Sequence, residues 1–162
     1  MADCFFGDAP DSSGMYERIL VATDGSPASE NAVEHAVTLA EATGATLHAL
    51  YVMDEDVYSA YSGDEYVGEH EGLESGLEEH GEKALAAVEN AAGDDVEIVT
   101  SLLRGEPADE ILAYADEHDV DLVVVGTRER NEAYRNLIGS VTERVVRVAS
   151  RPVTVVKTRV EG

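Results

Sequence analysis

Apolar residues in this chain fall into short dense runs, separated by stretches in which they recur every three or four positions. The runs are residues 18–22, 45–52, 96–103, 121–125 and 152–157. Each is strand-length and shows little alternation, the pattern of strands buried on both faces. Between them lie four helical stripes: Ala32, Val33, Ala36, Val37 and Ala40; Leu73, Leu77, Ala84, Val88 and Ala91; Ala108, Ile111, Leu112 and Ala115; Val141, Val145, Val148 and Ala149. The punctuation agrees. Ser26 is placed to cap the first helix with Pro27 at its first position. Gly44 and Gly93 stop two helices, Gly105-Glu106-Pro107 opens another, and Ser140 with Glu143 spells a capping box.

Buried strands alternating with amphipathic helices predict an α/β fold, a single doubly wound five-stranded parallel sheet with helices on both faces. Ligands of such sheets bind outside the carboxyl ends of the strands. That rim would carry Thr23-Asp24-Gly25-Ser26, Val52-Met53-Asp54 and the loop from Gly126 to Ser140. Residues 1–14 have no periodicity and are rich in Gly, Asp and Ser, so they are expected to form a disordered N-terminal extension. Residues 53–82 read as an insertion with eleven acids and no Lys or Arg. Its first half, with Tyr58, Tyr61 and Tyr66, reads as loop, and its second half enters the second helix.

Charge changes the picture next. The 162 residues hold 34 acids and 11 bases, a net charge of −23, and only Lys83 and Lys157 are lysines. Such self-repulsion loosens a compact fold in dilute buffer. In molar salt the Debye length falls to roughly 3 Å and the repulsion fades. The surface reads as an adaptation to a salt-rich cytoplasm, such as that of a halophilic archaeon. It disfavours nonspecific nucleic-acid binding. Cys4 is the single cysteine, which rules out an internal disulfide framework. No run approaches the ~20 apolar residues of a membrane span, and no secretory signal opens the chain. The expected location is cytoplasmic, with no membrane partner.

The bases are unevenly placed: from Gly126 to Arg159 there are eight (Arg128, Arg130, Arg135, Arg144, Arg147, Arg151, Lys157, Arg159) against three acids. They serve either as partners for an acidic surface or as attraction for phosphate. His35, His48, His70, His80 and His118 are scattered, without His-x-x-x-His spacing, so no metal site is expected. His80 is placed toward the apolar face of its helix, half-buried. No calcium-loop spacing, nucleophile elbow or Walker lysine occurs, so no catalytic residue is assigned.

Several motifs together resemble the universal stress protein family, over about residues 15–158. They are Arg18-Ile-Leu-Val-Ala-Thr-Asp-Gly-Ser, Gly105-Glu-Pro-Ala, Asp121-Leu-Val-Val-Val-Gly-Thr, Gly139-Ser-Val-Thr-Glu-Arg-Val and Arg151-Pro-Val-Thr-Val-Val. The resemblance implies strand order 3-2-1-4-5 and a homodimer built partly through the last strand, where Val153 and Val155 are candidate contacts. Nucleotide-binding members carry Gly-x2-Gly-x9-Gly-Ser/Thr. Here Gly126, Glu129, Gly139 and Ser140 occupy those positions, so one glycine of three is replaced. Carried over, Asp24 would meet a ribose and the Val52 backbone an adenine. Gly126 would lie near ribose and phosphates. The N–H groups of Gly139, Ser140 and Val141, with the Ser140 hydroxyl, would hold phosphates.

Each residue also has a structural role open to it. Asp24 orders a turn, Ser140 caps a helix, and the two glycines let the loop bend. Glu129 opposes a nucleotide by its side chain and its charge, or pairs with a neighbouring arginine. The resemblance therefore implies weak binding of ATP or a relative, with Mg2+ only as its companion, in a regulatory module. The alternative is a dimeric interaction protein that has lost the nucleotide. An adenine-nucleotide hydrolase is disfavoured, because Thr23-Asp24-Gly25-Ser26-Pro27-Ala28 is not Ser-Gly-Gly-x-Asp-Ser. A phosphoacceptor domain is disfavoured too, because Leu103-Arg104-Gly105 supplies no aspartate.

Overall fold

A computed structural model describes residues 16–25, 27–54, 67–127 and 140–157. In chain order the elements are β1 (Arg18–Ala22), α1 (Pro27–Thr43), β2 (Thr46–Asp54), α2 (Val67–Ala92), β3 (Ile98–Gly105), α3 (Pro107–Glu117), β4 (Leu122–Gly126), α4 (Ser140–Val148) and β5 (Val153–Val156). The five strands form one sheet in the order β3-β2-β1-β4-β5. All neighbours are parallel, with Ala22 opposite Leu50, Val21 opposite Val124, Val52 opposite Leu103 and Gly126 opposite Val156.

Successive residues of a strand point to opposite faces. Ile19, Val21, Leu47, Ala49, Tyr51 and Val124 therefore pack under α1 and α2. Leu20, Leu50, Val123 and Val125 pack under α3 and α4. Covering both faces is why β1 and β4 do not alternate, whereas the edge strands β3 and β5, expected to be buried on both faces, are mostly half-buried, with Val99 38% exposed. Ile19, Leu20 and Val21 at the sheet centre are 0% exposed, and each such side chain contributes about 1.5–3 kcal/mol by leaving water.

Helix boundaries follow local chemistry. Gly44 (φ +75°) and Gly93 (φ +66°) end α1 and α2 in the left-handed region. Glu106 caps α3, its carboxylate accepting from the Asp109 N–H at 3.2 Å, with Pro107 following at the first helical position.

Several expectations are corrected. Met53 and Asp54 belong to β2, paired with Arg104 and Gly105, and Met53 is buried, so the acidic insertion starts later than position 53. Ala91 is exposed and Ala92 buried; Val148 is 57% exposed while Ala149 is half-buried. Both misplacements share a cause. At 3.6 residues per turn, i+3 lies about 60° behind a buried residue and i+4 only about 40° ahead. From Val88 and Val145 the inward stripe therefore continues at i+4. His80 is also exposed, not half-buried. Tyr114, Leu85 and Val120 are core residues that the helical stripes and apolar runs do not include.

The proposed extension 1–14, the Ser26 cap, the loop tyrosines Tyr58, Tyr61 and Tyr66, Arg128, Glu129, Arg130, Arg135, Gly139 and Arg159 lie outside the described residues. Among the described residues, no helix is long and apolar enough to cross a membrane.

Candidate functional site

Because all five strands run parallel, their carboxyl ends share one rim, and the turns leaving β1, β2 and β4 meet there. The turn after β1 is built from its own hydroxyls. The Thr23 N–H donates to the Leu50 carbonyl at 3.0 Å, extending β1 against β2. Thr23 Oγ1 and Ser29 Oγ, both buried, lie 3.1 Å apart. The Asp24 N–H donates to Ser29 Oγ (3.3 Å) and the Gly25 N–H to Thr23 Oγ1 (3.2 Å). Gly25 takes φ +80°, a conformation that favours glycine. Asp24 is thus presented half-buried at the rim by a turn whose donors are spoken for.

The neighbouring rim position is Val52 on β2, half-buried and directed with Leu50 toward the α3–α4 face. Tyr51, its neighbour in sequence, points the other way. Burial, and secondarily the charge of Asp24, pushes the Tyr51 phenol above its usual value. Asp24 and Tyr51 therefore share an environment on the α1–α2 face. His80 of α2 joins them, edge-on to Tyr51 with ring centroids 5.8 Å apart and with Nε2 3.0 Å from the Asp24 carbonyl.

At the end of β4, Gly126 pairs with Val156, and the Thr127 N–H donates to the Val156 carbonyl at 3.1 Å. The chain returns at Ser140, which opens α4. The buried Thr142 hydroxyl then donates to the Gly126 carbonyl at 2.7 Å. This bond brings the first turn of α4, with Val141, beside the end of β4. The free N–H groups of a helix's first turn, with the positive end of its dipole, make an anion site. Asp24, Val52, Gly126, Ser140 and Val141 are therefore gathered on one rim. Thr142 belongs with them. Its signal was present in Gly139-Ser-Val-Thr, where a hydroxyl in the first helical turn follows a glycine.

Three of the described bases of the cluster form ion pairs. Arg144 meets Asp109 at 2.7 Å, Arg151 meets Asp116 at 2.9 Å, and Arg147 pairs with Glu143 one turn back. The surface-neutralising role holds for these three. The Arg144 and Arg147 pairs are solvated and add little stability, whereas the Arg151 side chain is only 21% exposed and also donates to the Val120 carbonyl.

The histidines are less scattered in space than along the chain. His48, buried on β2, places Nδ1 2.7 Å from the Tyr114 hydroxyl. Ser101 donates to the same hydroxyl at 3.4 Å, leaving the Tyr114 O–H to donate to a neutral His48. His118 stacks on Tyr114 with centroids 3.8 Å apart and lies 5.6 Å from His48. Burial, then His118 and Arg18, hold the His48 pKa below its ordinary value, against a smaller opposing pull from Glu97. This cluster braces α3 against β2 and β3. Among the described residues, no three His, Cys, Asp or Glu side chains are grouped to hold a metal ion.

A doubly wound five-stranded parallel sheet with helices on both faces is the class of protein defined by this geometry. The model of the universal stress protein family matches residues 15–157. Universal stress protein MJ0531 of Methanocaldococcus jannaschii is 39% identical over 144 residues, spanning 88% of this chain and 83% of that protein. The solved structure of protein MJ0577 from the same organism superposes with a TM-score of 0.76 at 26% identity, covering 91% of this chain and 99% of that one. A universal stress protein solved in complex with cAMP superposes with a TM-score of 0.61 at 27% identity, covering 90% and 99%. The chain belongs to the universal stress protein family.

Proposed function

We propose that this chain is a regulatory module that binds ATP or a related adenine nucleotide weakly at the carboxyl rim of its sheet, without catalysing its turnover. Asp24 would take the ribose and the Val52 backbone the adenine. Gly126 would lie between ribose and phosphates. The N–H groups of Gly139, Ser140 and Val141 would hold the phosphates, with Mg2+ arriving only as their companion. The observation that carries this reading is the Thr142–Gly126 hydrogen bond, which sets a helix start beside the end of β4. The relative solved with cAMP supports a nucleotide as the ligand class. Glu129 sits where the family motif has its second glycine, and its side chain and charge both oppose a phosphate.

That same glutamate favours a second reading, a dimeric interaction protein of this fold without nucleotide. In both readings the dimer forms through β5. Val153 and Val155 lie on the α3–α4 face of this edge strand and are half-buried in the single chain. An apolar edge of this kind needs cover. The module is expected to act in the cytoplasm of a salt-adapted cell. Calorimetry with ATP, AMP and cAMP in molar KCl separates the readings. Saturable heat supports the nucleotide module, and none at millimolar ligand supports the interaction protein.

A further inference from the structure

Helix α2 reaches over the α1–α2 face as far as the turn after β1. Its seat is made by Gly81. A methyl group there would come within 2.5 Å of Leu102 Cδ1 and 2.7 Å of Tyr51 Cδ1, so the helix backbone itself rests on β2 and β3. The seat fixes the preceding residue, His80, whose Nε2 lies 3.0 Å from the Asp24 carbonyl oxygen. A carbonyl oxygen only accepts, so Nε2 carries the proton and donates. Gly25 is the matching socket, since a Cβ there would come within 2.8 Å of the same Nε2. Asp24 thus has its N–H held from α1 through Ser29 and its carbonyl held from α2 through His80.

We propose that His80 is a positioning residue of the nucleotide site. By holding the Asp24 carbonyl it fixes the turn that aims the Asp24 carboxylate, and it makes ligand affinity depend on how α2 is docked. The inference rests on the nucleotide reading above. Coupling of this kind is reciprocal: a ligand that needs the ordered turn favours docked α2 by the same factor by which docked α2 favours the ligand. In the chain α2 lies between β2 and β3, so the His80 contact ties the turn after β1 to the helix that joins those two strands.

The test compares wild type, His80→Ala and His80→Gln, each checked for native circular dichroism. A glutamine amide nitrogen can take the place of Nε2. Titrated with ATP and Mg2+ in molar KCl, His80→Ala should bind roughly three- to tenfold more weakly, the worth of one hydrogen bond. His80→Gln should stay within about twofold of wild type, since it restores that bond. Without ligand, the Gly25 amide resonance should move in His80→Ala and return toward its original position in His80→Gln. Equal ATP affinity in wild type and His80→Ala, equal weakness in the two variants, or an unmoved Gly25 amide would each overturn the inference. A wild type that gives no heat at millimolar ATP overturns the nucleotide reading and this one together. A wild type that binds while His80→Ala binds equally well overturns this one alone.

Discussion

The Thr142 hydroxyl donates to the Gly126 carbonyl at 2.7 Å. The end of β4 and the start of α4 are thereby held together across the residues 127–139 that separate them in sequence. Thr142 is buried, so removing its hydroxyl leaves the carbonyl without that partner. Thr142→Val should cost about 1–3 kcal/mol in stability and weaken any anion held at the α4 start. Thr142→Ser should recover most of both. Denaturant unfolding and ATP titration of the two variants check this, and equal behaviour of Val and Ser would remove the role given to the hydroxyl.

Glu129→Gly should strengthen ATP binding. It deletes a charge whose repulsion at close range is worth about 1–4 kcal/mol, depending on the local dielectric, and it frees the backbone to approach. The gain should shrink in high salt, because part of it is Coulombic. Gly139→Val in the same background should abolish binding by filling the phosphate space. Calorimetry on the three proteins decides it; no gain from Glu129→Gly means that another feature limits the site.

The net charge of −23 predicts a thermal midpoint that climbs steeply from dilute buffer to molar KCl, as screening removes self-repulsion. A scan at stepped KCl concentrations measures it. A flat profile would discard the salt-adapted reading and leave the family assignment untouched.

Being two apart on β5, Val153 and Val155 lie on the same face of the sheet. Either Val153→Asp or Val155→Asp should convert a dimer to monomer, read by light scattering in high salt. Both positions also pack against the α3–α4 cluster, so circular dichroism must show a folded variant. A wild type already monomeric at micromolar concentration contradicts the dimer.

His48 predicts a pH dependence. Its pKa in the folded chain is lowered from the ordinary 6.5, so below that value the unfolded chain binds more protons than the folded one. Stability from this group is therefore present above about pH 6.5 and lost as pH falls through the folded value. His48→Gln should flatten that part of the stability–pH curve. Denaturant midpoints between pH 5 and pH 8 would show it; an unchanged slope would mean that His48 titrates alike in both states.

Much of the fold was legible because periodicity reports burial. Residues 18–22 and 121–125 read as strands covered on both faces, and Ile19, Leu20, Val123 and Val124 proved fully buried. Gly44, Gly93 and Pro107 marked helix ends that the structure confirms. Asp24, Val52, Gly126 and the α4 start could be placed on one rim, since strands of a parallel sheet all end on the same side. What the sequence could not supply was pairing between distant residues. His80 meets Asp24 across 56 positions and His48 meets Tyr114 across 66. Such meetings depend on how far α2 slides over Tyr51 and Leu102, and on which turn of α3 lies above β2. Side-chain periodicity specifies the face of an element and not its position along a neighbour. Only close packing, with a glycine where backbones must approach, decides that.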